Sequence, residues 1–235
     1  AEDGIRDLVR SRGLGDVYKR QEEAHTRLRV AGLRFSMLVT DRYRPACSLY
    51  LSHGYEDVQV LATALARWET AHQPTRLEAR RAGPDGAGLV EKACREIAGK
   101  YLGYARQPAP FAPLRENAGA GEAWLLWENR RLAGCALTRL DKTMLHIGSL
   151  LLDEGADAAE AVAAVVNELR TPYVKVKISR PSEIAGLQRL GFQIIRNPRE
   201  ACLVRPLVPE VDVETARRLF GIGTDRFLVS WPGVG

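Results

Sequence analysis

Ser48-Leu49-Tyr50-Leu51-Ser52-His53-Gly54-Tyr55-Glu56-Asp57-Val58 reads as the end of a short helix and the beginning of a strand. Ahead of it, Leu33-Arg34-Phe35-Ser36-Met37-Leu38-Val39 has the β-branched and aromatic content of a strand. Pro45 suits the first turn of a helix, where its missing N–H would be unpaired anyway. Ala46, Leu49 and Tyr50 then fall at i, i+3 and i+4 and share one helical face. Gly54, free to take positive φ, is the predicted stop. From Tyr55 to Ala66 a loose alternation puts Val58, Val60 and Ala62 on one side, which predicts a returning strand. The unit is strand, short helix, glycine stop, strand.

The unit occurs twice. Lys175-Val176-Lys177-Ile178 is followed by Glu183-Ile184-Ala185-Gly186-Leu187-Gln188-Arg189-Leu190-Gly191-Phe192-Gln193-Ile194, again strand, helix, Gly-aromatic, strand. The helix and its exit resemble the signature of the GNAT superfamily of acyl-CoA-dependent N-acetyltransferases, roughly N-x-x-A-x-x-L-Y-x-x-x-G-F. Ala46, Leu49, Tyr50 and Gly54 match it, Tyr55 fills the aromatic slot, and Tyr43 stands where the family often has Asn. The resemblance implies an α/β fold of the α+β type, a mixed and mostly antiparallel sheet flanked by helices. It implies acetyl-CoA as co-substrate and a small-molecule or peptide amine as acceptor. It places Tyr43 and Ala46 at the cofactor and makes Tyr50 the acid. In the family mechanism a neutral amine attacks the thioester carbonyl, and a phenol can protonate the departing thiolate. The general base is not assigned.

Between the two units the chain reads as a series of short elements. Thr70-Ala71-His72-Gln73-Pro74 is polar and carries a proline, which suggests a domain boundary. Thr75 to Arg81 follows as a strand, then a turn at Gly83-Pro84-Asp85-Gly86. Leu89, Ala93, Ile97 and Tyr101 recur at helical spacing, and Phe111 to Arg115 is a second, shorter helical segment. Strands are expected over Glu122–Glu128, Leu132–Leu140 and Met144–Leu152, meandering in order, then a helix over Ala156–Leu169 and a strand over Tyr173–Ile178. This order matches one whole GNAT domain over 75–207. Residues 22–70 match only the carboxyl-terminal part of another, and 208–235 form an extension. Trp124 and Trp127 should face opposite sides of their strand, and Phe220-Gly221-Ile222-Gly223 reads as a helix stop rather than a nucleotide fingerprint.

Residues 1–21 read differently. Asp16-Val17-Tyr18-Lys19-Arg20-Gln21 looks like the translation of a transposase-type adapter end, GAT GTG TAT AAG AGA CAG, and Ala1 to Asp7 resembles a translated flow-cell primer. Such a segment is expected to add nothing to the core. The natural sequence would then enter at Glu22, within a helix, with the family's Gly-rich cofactor turn lying upstream. Trp231-Pro232-Gly233-Val234-Gly235 reads as a second truncation, and poor acetyl transfer is expected of such a chain.

Composition narrows the classes. The chain has 235 residues, 46% hydrophobic and 27% charged, ordinary for a globular protein. No apolar run is long enough to span a bilayer. The net charge of +5 is scattered along the chain without interleaved aromatics, which argues against nucleic acid as partner. Four cysteines lie far apart with no C-x-x-C, which suggests a reducing cytoplasm and no zinc site. Four histidines, His25, His53, His72 and His146, show no ligand spacing and read as surface or loop residues, so no metal is expected.

The second copy departs from the signature where chemistry is concerned. Leu187 stands in the tyrosine slot and cannot donate a proton. Leu151-Leu152-Asp153-Glu154-Gly155-Ala156-Asp157 replaces a Gly-rich basic turn, and its carboxylates would repel a pyrophosphate at a helix start. Two readings stay open: an N-acetyltransferase whose first copy carries the chemistry, and a non-catalytic acyl-CoA-binding or regulatory module.

Overall fold

The structure, a computed structural model, describes residues 19–58, 61–68, 73–83, 86–102, 122–196 and 199–228. Residues 19–30 form helix α1. Strand β1 (Phe35–Asp41) leads into α2 (Pro45–Ser52), then β2 (Glu56–Asp57) and β3 (Ala62–Arg67). The chain continues through β4 (Glu78–Arg81), α3 (Ala87–Ala98), β5 (Glu122–Glu128), β6 (Arg131–Asp141) and β7 (Met144–Leu152). It ends with α4 (Ala158–Leu169), β8 (Tyr173–Ile178), α5 (Pro181–Arg189), β9 (Gln193–Arg196), β10 (Glu200–Pro206) and α6 (Val213–Phe220). The segment Phe111 to Arg115, residues 1–18 and Val60 lie outside the described residues.

Local chemistry accounts for the element ends. Pro45 and Pro181 sit in the first turns of α2 and α5. Gly54 and Gly191 take φ of 77° and 82° just past those helices, a region costly for a residue with Cβ. Asp157 caps α4, accepting from the N–H groups of Ala159 and Glu160. Glu128 pairs directly with Arg131, so only Asn129 and Arg130 turn the β5–β6 hairpin, both at positive φ as a primed turn requires. Gly221, with φ of 63°, stops α6.

The strands form two sheets, one in the order β1-β10-β2 and one in the order β4-β5-β6-β7-β8-β3-β9. All ladders are antiparallel except β7 with β8, which pair in parallel from Met144↔Tyr173 to Ile147↔Val176. The β5-β6-β7 meander follows chain order, as expected. The rest does not. The returning strand expected from Tyr55 to Ala66 is divided into β2 and β3, and the two parts enter different sheets. β3 lies between β8 and β9, while β10, which follows β9 in the chain, lies between β1 and β2. The sheet of the 75–207 segment is therefore completed by a strand from outside it.

Both exchanged strands are central and covered. Ala201, Cys202, Leu203 and Val204 are buried in sequence, Cys202 and Val204 toward α6 and Ala201 and Leu203 toward α2. Ala62 and Ala64 of β3 join the main core, where α4 and α5 pack on the larger sheet and Trp68 meets Phe192 at 6.0 Å between ring centroids. On the opposite face of that sheet, α3 contributes Val90, Ala93 and Ile97. Trp124 and Trp127 belong to opposite faces, with Trp124 Nε1 donating to Thr138 Oγ1 at 3.0 Å. The carboxyl-terminal extension joins both units, since Phe227 packs under the small sheet and Leu228 under α3.

Gly134 carries the closest approach in the larger sheet: a Cβ there would lie 2.6 Å from Leu151 O and 2.8 Å from Leu152 Cδ2. Gly134→Ala is therefore expected to lower unfolding stability by about 1–3 kcal/mol, measured by urea titration. A chain of residues 75–228 alone lacks β3 and leaves facing edges on β8 and β9. It is expected to aggregate or to lack a cooperative transition, and a stable monomer with a sharp melting curve would contradict the exchange.

Candidate functional site

Helix α2 presents the first copy's candidate residues. Tyr50 is half-buried in the cluster of Cys47, Tyr55, Ala201 and Leu203, its ring edge-on to Tyr55 at 5.5 Å. Its hydroxyl has no protein partner among the described residues. Ala46 is half-buried near the helix start, whereas Tyr43, in the preceding turn, is 74% exposed. The three thus share one helix and its entry, with Tyr43 pointing away from the packed cluster.

Tyr55, in contrast, is buried and committed. Its hydroxyl lies 2.9 Å from His25 Nε2 and 2.7 Å from Ser36 Oγ, and Gln21 Nε2 donates to it at 3.3 Å. Arg205 Nη1 sits 2.6 Å from His25 Nδ1. A guanidinium can only donate, so Nδ1 accepts and the imidazole proton rests on Nε2. Nε2–H then donates to the Tyr55 oxygen, and Tyr55 donates onward to Ser36. Glu22 Oε1 closes the periphery, accepting from Arg205 at 3.2 Å and lying 3.1 Å from His53 Nδ1. The hydrogen bond from Arg205 holds the Glu22 carboxyl below its ordinary range. The network ties α1 to β1, to the Gly-aromatic exit of α2, and to the exchanged strand β10.

Two expectations change here. His25 is no surface residue: it is 1% exposed, inside a helix. Its place could have been read from its spacing, since Gln21, His25 and Leu28 share a helical face that α1 turns inward. Gln21, counted with the adapter-like segment, lies in α1 and donates to the Tyr55 hydroxyl. Arg205 gave no sequence signal, because its partner stands at the other end of the chain. Among the described residues no group of three His, Cys, Asp or Glu side chains is arranged to hold a metal ion, and no helix is long and apolar enough to cross a membrane.

The second copy offers a cleft. β7 and β8 pair only as far as Ile147↔Val176 and then part. Beyond the parting lies a cavity of about 510 Å³, walled by Tyr101, Leu152, the Asp153–Ala158 turn, Arg180 and Asp225 among others. Arg180 is buried there. Its Nη1 donates to the Tyr101 hydroxyl at 2.6 Å, its Nη2 to Glu183 Oε1 at 2.8 Å, and its Cζ stands 4.8 Å from the Tyr101 ring centroid. Tyr101 donates to Leu152 O, and Glu183 Oε2 accepts from the N–H groups of Ser179 and Arg180. Burial pushes the Tyr101 phenol up, against the opposing charge of Arg180. Burial works against the Arg180 charge, but Glu183 outweighs it and the guanidinium stays charged.

The family resemblance places a pyrophosphate at the start of a helix such as α4, and the residues found there do not fit one. Asp157 Oδ1 already takes the N–H groups of Ala159 and Glu160 at 2.7 and 3.2 Å, and Arg189 takes its Oδ2 at 3.1 Å. Asp153 is bound by Lys100 and by Arg131. Burial alone would raise the Asp153 carboxyl, but these cations hold it below its ordinary value, hence ionised. An incoming polyphosphate would meet a filled cap and fixed negative charge.

No protein-family model and no curated protein sequence matches the chain. Solved structures do. The GCN5-related N-acetyltransferase of Anabaena variabilis aligns with a TM-score of 0.58 and 15% identity, over 79% of this chain and 49% of its own. That of Kribbella flavida aligns with a TM-score of 0.57 and 17% identity, over 80% of this chain and 47% of its own. The chain thus spans about half the length of these structures. At such identities the likeness establishes the fold, the mixed α/β architecture of GCN5-related N-acetyltransferases.

His25 gives the site a pH dependence. Burial first, then the charge of Arg205, holds its pKa below the ordinary value of 6.5. The unfolded chain then binds a proton that the folded chain refuses, so stability is intact above that value and falls as the pH drops below it. His146 shifts in the same direction, through burial and then Lys175 and Arg139, and adds to the slope. Unfolding titrations between about pH 7 and 5 should show this loss, and His25→Gln should flatten part of it. An unchanged slope in His25→Gln would detach His25 from the effect.

Proposed function

We propose that the protein is an acyl-CoA-dependent N-acyltransferase with acetyl-CoA as co-substrate, in which Tyr50 of the first copy is the acid. The observation that carries this reading is the difference between the two tyrosines at the exit of α2. The Tyr55 hydroxyl is saturated by His25, Gln21 and Ser36, whereas the Tyr50 hydroxyl has no partner among the described residues. The internal repeat adds support. The N–H of Tyr55 returns to Tyr50 O at 3.2 Å, and that of Phe192 to Leu187 O at 3.0 Å, so Tyr50 and Leu187 occupy the same place in the two copies. Leu187 is fully buried and chemically silent; Tyr50 is half-buried with a proton to give.

In this reading an amine, from a small molecule or a peptide, attacks the thioester carbon. The C–N bond forms, the C–S bond breaks, Tyr50 passes its proton to the sulfur, and the proton lost by the amine nitrogen goes to solvent, from which Tyr50 is reprotonated. Tyr43 and Ala46 flank the cofactor at the start of α2. Residues 22–70 belong to the working copy and 75–207 to a degenerate, supporting copy, with 1–21 adapter-derived in origin although Lys19 to Gln21 extend α1, and with 208–235 as an extension. Three buried free thiols, Cys47, Cys135 and Cys202, suit a reducing cytoplasm, and burial pushes Cys202 up to about 12, far from the reactive thiolate.

The second reading, a non-catalytic acyl-CoA-binding or regulatory module, is favoured by Leu187 and by the acidic head of α4. Thiol release from acetyl-CoA with a panel of amines separates the two. In a form extended upstream of Glu22, which is expected to transfer the acyl group readily, Tyr50→Phe should lower turnover by about a hundred- to ten-thousand-fold with little change in acetyl-CoA affinity. Unchanged turnover would reduce Tyr50 to packing. Binding without thiol release would favour the non-catalytic module.

A further inference from the structure

Helix α1 is held to the body of the protein almost entirely by polar contacts. Of its residues only His25 is buried; Gln21 and Leu28 are half-buried and the rest are exposed. None of them belongs to the four apolar clusters formed by the described residues. The ties run instead from Gln21 and His25 to the Tyr55 hydroxyl, from Glu22 to His53 and Arg205, and from His25 to Arg205. A helix this short is marginal in water by itself, so its order depends on that docking.

The central anchor fits only one charge state. Nε2–H serves Tyr55 and Nδ1 accepts from Arg205, so both nitrogens are occupied while the imidazole is neutral. A second proton would enter on Nδ1, where a guanidinium nitrogen already stands at 2.6 Å. Donor would then face donor, and a buried charge would face a like charge. The titratable and charged groups around the ring are Arg205 of β10, Tyr55 and His53 at the exit of α2, and Glu22 of α1 itself. Glu22 is the carboxylate among them, 3.7 Å from Nδ1, but its side chain is 50% exposed and also serves Arg205 and His53. Burial and Arg205 outweigh it and hold the imidazole below its ordinary pKa.

We propose that α1 is an acid-released latch: protonation of His25 frees the helix from the small sheet without unfolding the rest of the chain. Release breaks the bonds to Tyr55 and Arg205 and uncovers the Tyr55 hydroxyl at the exit of α2. A released His25 titrates near the ordinary value of 6.5, so docking is intact above that value and weakens as the pH falls below it. With one proton taken up on release, the opening constant rises about tenfold between pH 7.5 and 5.5. The latch does not depend on any transfer chemistry at Tyr50.

Native-state hydrogen exchange of the intact 235-residue chain in low urea, corrected for the intrinsic pH dependence of exchange, tests this. Amides of residues 26–30 are expected to exchange through an opening that urea barely accelerates, because release exposes little apolar surface. The constant of that opening is expected to rise about tenfold from pH 7.5 to 5.5. Exchange with the same steep urea dependence as β5 and β6 would be global unfolding and would overturn the latch. A urea-insensitive opening that ignores pH would overturn it as well. In His25→Gln, whose side chain takes up no proton, the opening is expected to be equal at the two pH values, whether the helix is then docked or loose. A tenfold rise persisting in that variant would assign the release to another group and overturn the role of His25.

Discussion

Everything in this protein rests on the exchange of two strands. β3 enters the larger sheet between β8 and β9, and β10 enters the smaller sheet between β1 and β2. Without β10 the small sheet would have no ladder at all, because β1 and β2 each pair only with β10 among the described strands. Without β3 the larger sheet would end at β8, and β9 would be stranded. β10 is buried on both faces and β3 over Ala62–Ala64, and burial of a side chain such as Leu203 contributes about 1.5–3 kcal/mol. The two units therefore stabilise each other through backbone hydrogen bonds and apolar burial together, so neither has a complete core alone.

The repeated helix exits use one geometry for two purposes. In both copies a proline opens the helix, a glycine at positive φ ends it, and the next residue's N–H folds back to the same carbonyl. What differs is the side chain offered at that carbonyl's residue and in the aromatic slot. Tyr50 and Tyr55 place two hydroxyls at the first exit, one without a partner among the described residues and one bonded. Leu187 and Phe192 place only hydrocarbon at the second, where they pack into the main core with Trp68. The same backbone thus serves as a candidate site once and as a structural joint once.

Buried polar groups gather at the junctions between elements. His25, Tyr55, Ser36 and Arg205 join α1 to both neighbours in the small sheet, and Arg180, Glu183 and Tyr101 join α5 to the segment after α3. Breaking one partner of a buried pair such as Arg180–Glu183 is strongly destabilising, by about 3–5 kcal/mol, because a charge is left uncompensated. Neither network was legible beforehand. Glu183 stood only as the first residue of the second-copy helix, and Tyr101 only as the last member of an apolar period.

Local pattern was enough for the elements. Alternation marked β5, β6 and β7, helical spacing marked α3 and α4, and the Pro and Gly positions bounded α2 and α5, since each reflects conformational preference within a few residues. The acidic turn before α4 and Leu187 in place of a tyrosine were equally plain, because side-chain identity is itself the signal. Which sheet a strand joins is another matter. β2 and β3 read as one strand, because proximity in the chain is all that a sequence offers. The choice of partner depends on which central position buries both faces of the strand, and that burial exists only once the other unit has folded beside it. The pairings of Arg205 with His25 and of Arg180 with Tyr101 follow from the same cause: they arise where distant segments meet, and only the tertiary structure brings them together.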